Sequence, residues 1–230
     1  MFALTPLEVE ALGLSLRIAV VCVLASLPFG IAVAWLLARR DFPGKTLLDG
    51  LVHAPLVLPP VAVGYILLVL LGRNGLIGAW LYDSLGVTLI FTWQGAALAA
   101  AVMAFPLMVR AIRLAIELVD RRIETAARTL GAGPLRIALT ITLPLTLPGI
   151  LTGVILAFAR SLGEFGATIT FVSNIPGQTR TLPIALYTLV QTPGGEASAL
   201  RLMAISLALA LGALAVSELL ARRVRARLRG

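Results

Sequence analysis

One cysteine and one histidine are all that the 230 residues contain of those two side chains. Cys22 has no partner for an intrachain disulfide, and neither residue type is numerous enough to build a metal cage. Charge is as scarce: 13% of residues are charged against 59% hydrophobic, and the mean hydropathy is +0.99. A soluble domain of this length cannot hide so much apolar surface. Short alternating strands are missing as well, which argues against an outer-membrane barrel. The N-terminus lacks the basic cluster and small-residue cleavage site of a signal peptide. Met1–Glu10 carries Glu8 and Glu10 instead, so the first apolar run is expected to be a retained span. With no internal repeat, low-complexity tract or linker, residues 1–230 read as one transmembrane domain.

What the chain does have is long apolar runs. A helix needs about 20 apolar residues to cross the hydrocarbon core. Five segments are long enough, near residues 12–38, 51–71, 88–109, 145–172 and 199–221, and they predict an all-α integral membrane protein with five transmembrane helices. Residues 75–86 and 182–190 are too short and too punctuated for a sixth span, and suit interfacial or re-entrant helices.

A net charge of +8 would suggest nucleic acid in a soluble protein. Here it marks loops, and no nucleic-acid partner is expected. Arg39, Arg40 and Lys45, the six arginines of 110–136, and Arg222, Arg223, Arg225, Arg227 and Arg229 all fall on one face of the five-span layout. The other face carries Arg17, Arg73, Arg180 and Arg201 along with Glu8, Glu10, Asp83 and Glu196. The positive-inside rule then puts the N-terminus outside and the C-terminus in the cytoplasm.

The polar interruption from Arg110 to Arg136 is the most patterned part of the chain. Ala126-Ala127 is followed after three residues by Gly131, and after nine more by Ile141-x-Leu143-Pro144. Gly131 and Gly133-Pro134 are expected to end one short helix and start another. Ala126, Ala127 and Leu130 share a helical face that a partner groove can approach closely, framed by Arg121, Arg122 and Arg128. The ordinary reading of such a stretch is a basic topogenic loop. Against it, the spacing resembles the loop by which permease subunits of ABC importers grip their ATPase. The resemblance implies a coupling role for Glu124, Ala126, Ala127, Leu130, Gly131, Ile141, Leu143 and Pro144. It departs at Thr125, which stands where that family has a glutamate, with Glu124 one residue earlier.

The chain has no phosphate-binding loop of its own. Gly44-Lys45-Thr46 resembles the end of a Walker motif, but Arg39 stands at its first glycine position and the segment joins two membrane helices, so it reads as a turn. No catalytic residue or metal site is expected.

Arg160 and Glu164 lie four residues apart inside the fourth apolar segment and can pair on one helix face. Ionisable groups there are costly unless paired or facing water. From Leu145, Glu164 stands about 28 Å along a helix, near the far boundary of the core, yet the apolar run continues. The helix therefore begins early, tilts, or breaks near Gly163 and Gly166. Arg160, Gly163, Glu164 and Gly166 form either a gate or subunit contact beside a pathway, or a packing pair. Pro59-Pro60, Gly64 and Pro106 permit kinks or close helix approach, and His53 is assigned no chemistry.

Ser26-Leu-Pro-Phe-Gly-Ile31, Phe42-Pro-Gly-Lys45, Pro55-Leu-Val-Leu-Pro-Pro60, Ser161-Leu-Gly-Glu-Phe-Gly-Ala-Thr-Ile-Thr170 and Gln191-Thr-Pro-Gly-Gly195 extend the likeness to nearly the whole chain. They resemble permeases of bacterial molybdate ABC importers. The resemblance implies the type I ABC importer permease fold in the bacterial inner membrane. It also implies a homodimer of permeases, two cytoplasmic ATPases holding ATP and Mg, and a periplasmic molybdate-binding protein docking on loops 72–87 and 173–198. Molybdate, and tungstate with it, is the implied cargo. Sulfate or thiosulfate permeases, an ion-coupled secondary transporter and a membrane scaffold are the alternatives.

Overall fold

The computed structural model describes residues 4–229, and the expectation drawn from the tail arginines at 222–229 concerns side chains outside that description. Helix α1 (Pro6–Arg39) opens on a capping box. The Thr5 hydroxyl accepts the Glu8 N–H at 3.3 Å, Glu8 Oε2 accepts the Thr5 N–H at 2.7 Å, and Pro6 fills the first turn where no N–H is needed. These caps start the helix six residues before the apolar run expected at 12–38.

The second expected span, 51–71, is not one helix. Helices α2 (Lys45–Val57) and α3 (Pro60–Leu71) meet at a bend of 116°. Pro59 and Pro60 supply no N–H groups, and Leu58 and Pro59 hold extended backbone at the junction, so the helix cannot run through. Helix α4 (Leu76–Leu85) is a single short segment closed by Gly86.

Helix α5 (Trp93–Glu117) begins where the Thr92 hydroxyl accepts the Gly95 N–H, and runs past Val109, the end expected from hydropathy, to carry Arg110 and Arg113 as helical residues. Helix α6 (Arg121–Thr129) follows. Helix α7 (Pro134–Ile137), a π turn (Ala138–Thr142) and α8 (Leu143–Leu162) then make one unbroken helix, Pro134–Leu162. The loop between spans is thus 118–133, shorter than the 110–144 expected, because helical extensions absorb both ends.

Helix α8 ends at Gly163, and a separate α9 (Gly166–Val172) completes the apolar run 145–172, which breaks at Gly163–Phe165. Helices α10 (Leu182–Val190) and α11 (Glu196–Arg229) close the chain, the apolar part of α11 being Glu196–Ala213. Among the described residues, four helices are long and apolar enough to cross a membrane, or five with α2–α3 taken as one bent span. At ten and nine residues, α4 and α10 are too short to cross.

Helix α5 is the axis of the bundle, packed between α1 and α8. Of its most apolar window 61% is buried, against 33% in α1, 28% in Pro134–Leu162 and 11% in α11. Ala96, Ala97, Ala99, Ala100 and Ala104 line its buried face with Met103, Met108 and Ile112. Lipid tails are as apolar as leucine, so helix association in a bilayer draws on contact rather than on exclusion of water. Small side chains let backbones approach closely enough for that contact.

The two ends of the bundle differ in chemistry. At one, Arg201 pairs with Glu8 at 3.0 Å, Arg17 lies 3.8 Å from the Trp93 ring centroid, and Ser15 Oγ accepts the Leu182 N–H at 2.7 Å. At the other, Arg39, α6 and an Asp49–Arg113 pair at 3.0 Å come together. The basic stretches 39–45 and 110–136 therefore collect at a single end, as the charge pattern predicts.

Candidate coupling surface and gate

Helix α6 is short, polar and set apart from the bundle. Asp120 caps it by accepting the Arg122 N–H at 2.8 Å. Its far end closes as a Schellman motif: Ala132 N–H donates to Ala127 O at 3.0 Å and Gly131 N–H to Arg128 O at 3.0 Å. Gly131 adopts φ +83° to do this, with open space where a Cβ would stand. Conformation, not crowding, selects glycine here.

Ala126 is exposed, Ala127 half-buried, and Leu130 is 88% exposed. Ile123, 47% exposed, extends the same stripe and was not singled out from sequence. Its spacing to Ala127 and Leu130 was a readable signal. An uncovered apolar stripe on a helix otherwise rich in arginine has the form of a docking face.

Glu124 does something else. Its Oε1 accepts from Arg39 Nη2 at 2.9 Å and from Thr142 Oγ1 at 2.7 Å, with only 12% of the glutamate side chain and 9% of the arginine side chain exposed. Arg39 Nη2 also donates to Val119 O at 3.3 Å, and Arg121 Nη2 to Ala38 O at 3.5 Å. Glu124 is thus a clasp that ties α6 to the end of α1 and to the start of the fourth-span helix, Pro134–Leu162. It faces inward, away from the stripe with which sequence grouped it.

Ile141, Leu143 and Pro144 stand apart from that stripe too. Ile141 lies in the π turn, Leu143 packs on the core and Pro144 is exposed. Pro144 brings no N–H, and its ring crowds the carbonyl four residues back. The chain answers with one wide turn, Leu143 N–H donating to Ala138 O, and the helix continues. The eight residues grouped by sequence therefore divide into an exposed stripe with its stop at Gly131, an inward clasp, and a wide turn at the base of the fourth span.

The other candidate set stays together. Arg160 Nη1 lies 2.6 Å from Glu164 Oε2, out of line for a hydrogen bond, so the contact is an ion pair in which Oε2 has no hydrogen-bonded donor. Glu164 Oε1 accepts the Ala167 N–H at 2.8 Å, capping α9 across the Gly163–Phe165 break. The Glu164 side chain is 1% exposed and that of Arg160 27%. Helix α9 packs on α3 at the second broken span. There a Cβ on Gly64 would stand 2.6 Å from Ala167 O, and one on Gly166 would meet Pro60. Two interrupted helices meet through glycine, with a capped carboxylate beside the contact.

Interrupted membrane helices packed on one another, with a tethered surface helix outside the bundle, mark a helical membrane permease. The chain belongs to the family described as binding-protein-dependent transport system inner membrane component, which matches residues 26–226. It is 66% identical over 224 residues to the molybdenum transport system permease protein ModB of Escherichia coli K12, covering 97% of this chain and 98% of that protein. Identity to the sulfate transport system permease protein CysW of Synechococcus elongatus is 39%, over 86% of this chain and 70% of that one. The fold matches an inward-facing MetNI methionine ABC transporter structure with TM-score 0.73 at 16% identity, covering 95% of this chain and 96% of that one. The chain thus has the type I ABC importer permease fold and is an inner-membrane permease subunit.

Proposed function

We propose that this chain is the membrane-spanning subunit of an importer that carries molybdate, and tungstate with it, into the cytoplasm, driven by ATP hydrolysis on a separate subunit. The observation that carries the reading is α6: an exposed apolar stripe of Ile123, Ala126 and Leu130, clasped through Glu124 to two membrane helices. A groove on an ATPase seated on that stripe moves both helices when it moves. Ala126, Ala127, Leu130 and Gly131 form the contact and its stop; Ile141, Leu143 and Pro144 form the base through which the fourth span is tilted. ATP and Mg belong to the partner ATPase.

The cargo is supported by 66% identity to a molybdenum permease along almost the full length of both chains, against 39% to a sulfate permease. The assembly proposed is two copies of this chain, two ATPases, and a periplasmic molybdate-binding protein on the loops opposite α6. The basic end faces the cytoplasm, with the N-terminus outside. In this cycle the α3–α9 contact, with Arg160 and Glu164, shapes the gate. A binding protein that recognises the oxyanion before delivery leaves the permease to supply passage rather than tight binding, and alternating access follows as the ATPases close and separate.

The test is uptake of labelled molybdate into vesicles holding this chain with its ATPase and binding protein, ATP inside. ATP-dependent uptake is expected, with sulfate competing weakly. Uptake that persists without the ATPase removes the mechanism, and a preference for sulfate removes the cargo.

A further inference from the structure

Beside the Glu124 clasp lies a cavity of about 720 Å³ walled by Arg39, Arg40, Arg121 and Arg128, with Glu124 the one carboxylate in its lining. The Arg39 side chain is 9% exposed, and its Nε is buried with no hydrogen-bond partner. Glu124 and Val119 O occupy only Nη2. Asp41, beyond Arg40, is already held by Lys45 at 2.8 Å. The cavity therefore keeps an excess of guanidinium charge, four arginines against one carboxylate, which favours an anion.

A second cavity of about 460 Å³ lies beside it between α1, α5 and the helix Pro134–Leu162, and its lining is mostly apolar, including Ile31, Ile112, Leu139 and Ile150. Trp35, Pro134, Ala138 and Thr142 border both cavities, so the two lie side by side. Trp35 stands at the junction with Arg40 5.6 Å from its ring, an aromatic placed where tryptophans sit at membrane interfaces. A basic pocket for a phosphate beside an apolar groove suits one kind of molecule.

We propose that this end of the permease binds an anionic phospholipid, its phosphate among Arg39, Arg40, Arg121 and Arg128 and an acyl chain in the groove between α1 and the fourth-span helix. The phosphate bridges the arginines of α1 and its end to those of α6 alongside Glu124. The charge of the surrounding bilayer thereby stiffens the link between the surface helix and the spans. A free anion has use for the basic pocket but none for the apolar groove, and the groove selects the lipid.

The experiment reads Trp35 directly. The full chain with Trp80→Phe and Trp93→Phe, leaving Trp35 as sole tryptophan, is reconstituted with phosphatidylcholine and brominated phosphatidylglycerol or, separately, brominated phosphatidylcholine. Each guanidinium near an anionic headgroup contributes roughly a fivefold preference. Brominated phosphatidylglycerol is therefore expected to quench Trp35 at several-fold lower mole fraction than brominated phosphatidylcholine. Arg40→Gln and Arg128→Gln, on exposed side chains, each reduce that preference.

Native mass spectrometry of the unmodified chain, and of the same two arginine variants, supplies a second measurement that does not depend on the tryptophan replacements. Retained phosphatidylglycerol that falls in both variants supports the site. Equal quenching by the two lipids, or a preference unchanged in the variants, overturns it. Loss of the preference in millimolar inorganic phosphate reassigns the pocket to a free anion and overturns the lipid. Absence of quenching by either lipid means another protein chain covers the groove, and this too overturns the lipid.

Discussion

Glu124 takes its partners Arg39 and Thr142 from 85 and 18 residues away, whereas Glu164 takes Arg160 and the Ala167 N–H from within four. Both are carboxylates tucked against arginine, yet the first joins separate elements and the second stabilises a gap in one segment. A long-range clasp passes displacement from one helix to another. A local cap holds a broken helix in its broken form. The same kind of ion pair thus joins separate helices at the basic end of the bundle and keeps a break in place beside the α3–α9 contact. Substitutions at the two places separate these roles.

The largest effect is expected where the surface helix stops. Gly131 sits at φ +83° and donates its N–H to Arg128 O, and proline can do neither. Gly131→Pro removes the Schellman stop, at a local cost of about 3 kcal/mol, in a segment outside the bundle. The permease inserts and purifies normally, while molybdate uptake falls to the level of vesicles without ATP. Gly131→Ala costs about 1 kcal/mol and leaves partial uptake. Normal coupled uptake in the proline variant removes α6 from the coupling path and ends the comparison.

Next in size is the gate pair, where the question is whether charge or only packing matters. Glu164→Gln leaves Arg160 without its counter-ion, and one half of a buried pair left alone costs about 3 kcal/mol. The melting temperature of the purified chain in detergent falls accordingly. Arg160→Met with Glu164→Met removes both charges, and a well-packed apolar replacement recovers most of that stability. The Ala167 cap is still lost, so recovery stays incomplete. A double variant that is stable yet fails in uptake identifies a gate; one that transports normally leaves a structural pair.

The regions also differ in how legible they are in the sequence. The surface helix and its stop follow from local chemistry: alanines and a leucine at helical spacing, then Gly131 and Gly133-Pro134. So does the pairing of Arg160 with Glu164, since i,i+4 geometry acts within a turn, whereas the break near Gly163 is one of three readings the sequence leaves open, and the early start at Pro134 holds beside it. The prolines at 59 and 60 announce a kink but not a 116° bend, which depends on where α3 finds α9 to pack against. Span limits slipped wherever a cap or a helical extension overrode hydropathy, at Thr5, at Thr92 and at Pro134. The inward role of Glu124 was the least readable feature. Nothing within a turn of it reveals that Arg39 and Thr142 converge on its carboxylate, and Arg39 read only as one of several loop arginines.

The smallest effects sharpen the contrast between a linking pair and an idle one. Glu124→Gln keeps an acceptor for the Thr142 hydroxyl but gives up the charge on Arg39, and is expected to lower stability by about 1–2 kcal/mol. Arg39→Gln and the double variant complete a cycle whose coupling energy should be about 1 kcal/mol or more. Asp41 and Lys45, paired at 2.8 Å with the carboxylate 93% exposed, are the control. Lys45 beside Asp41 holds its carboxyl below the usual carboxylate range. That support is therefore complete above the unfolded pKa of the group and is lost as pH falls through the folded one. Solvent screens it nearly to nothing, so Asp41→Asn should leave the melting temperature and the uptake rate unchanged at neutral pH. A cycle at Arg39 and Glu124 that proved equally silent would make the clasp another surface pair, and α6 would then need some other route to move the fourth-span helix.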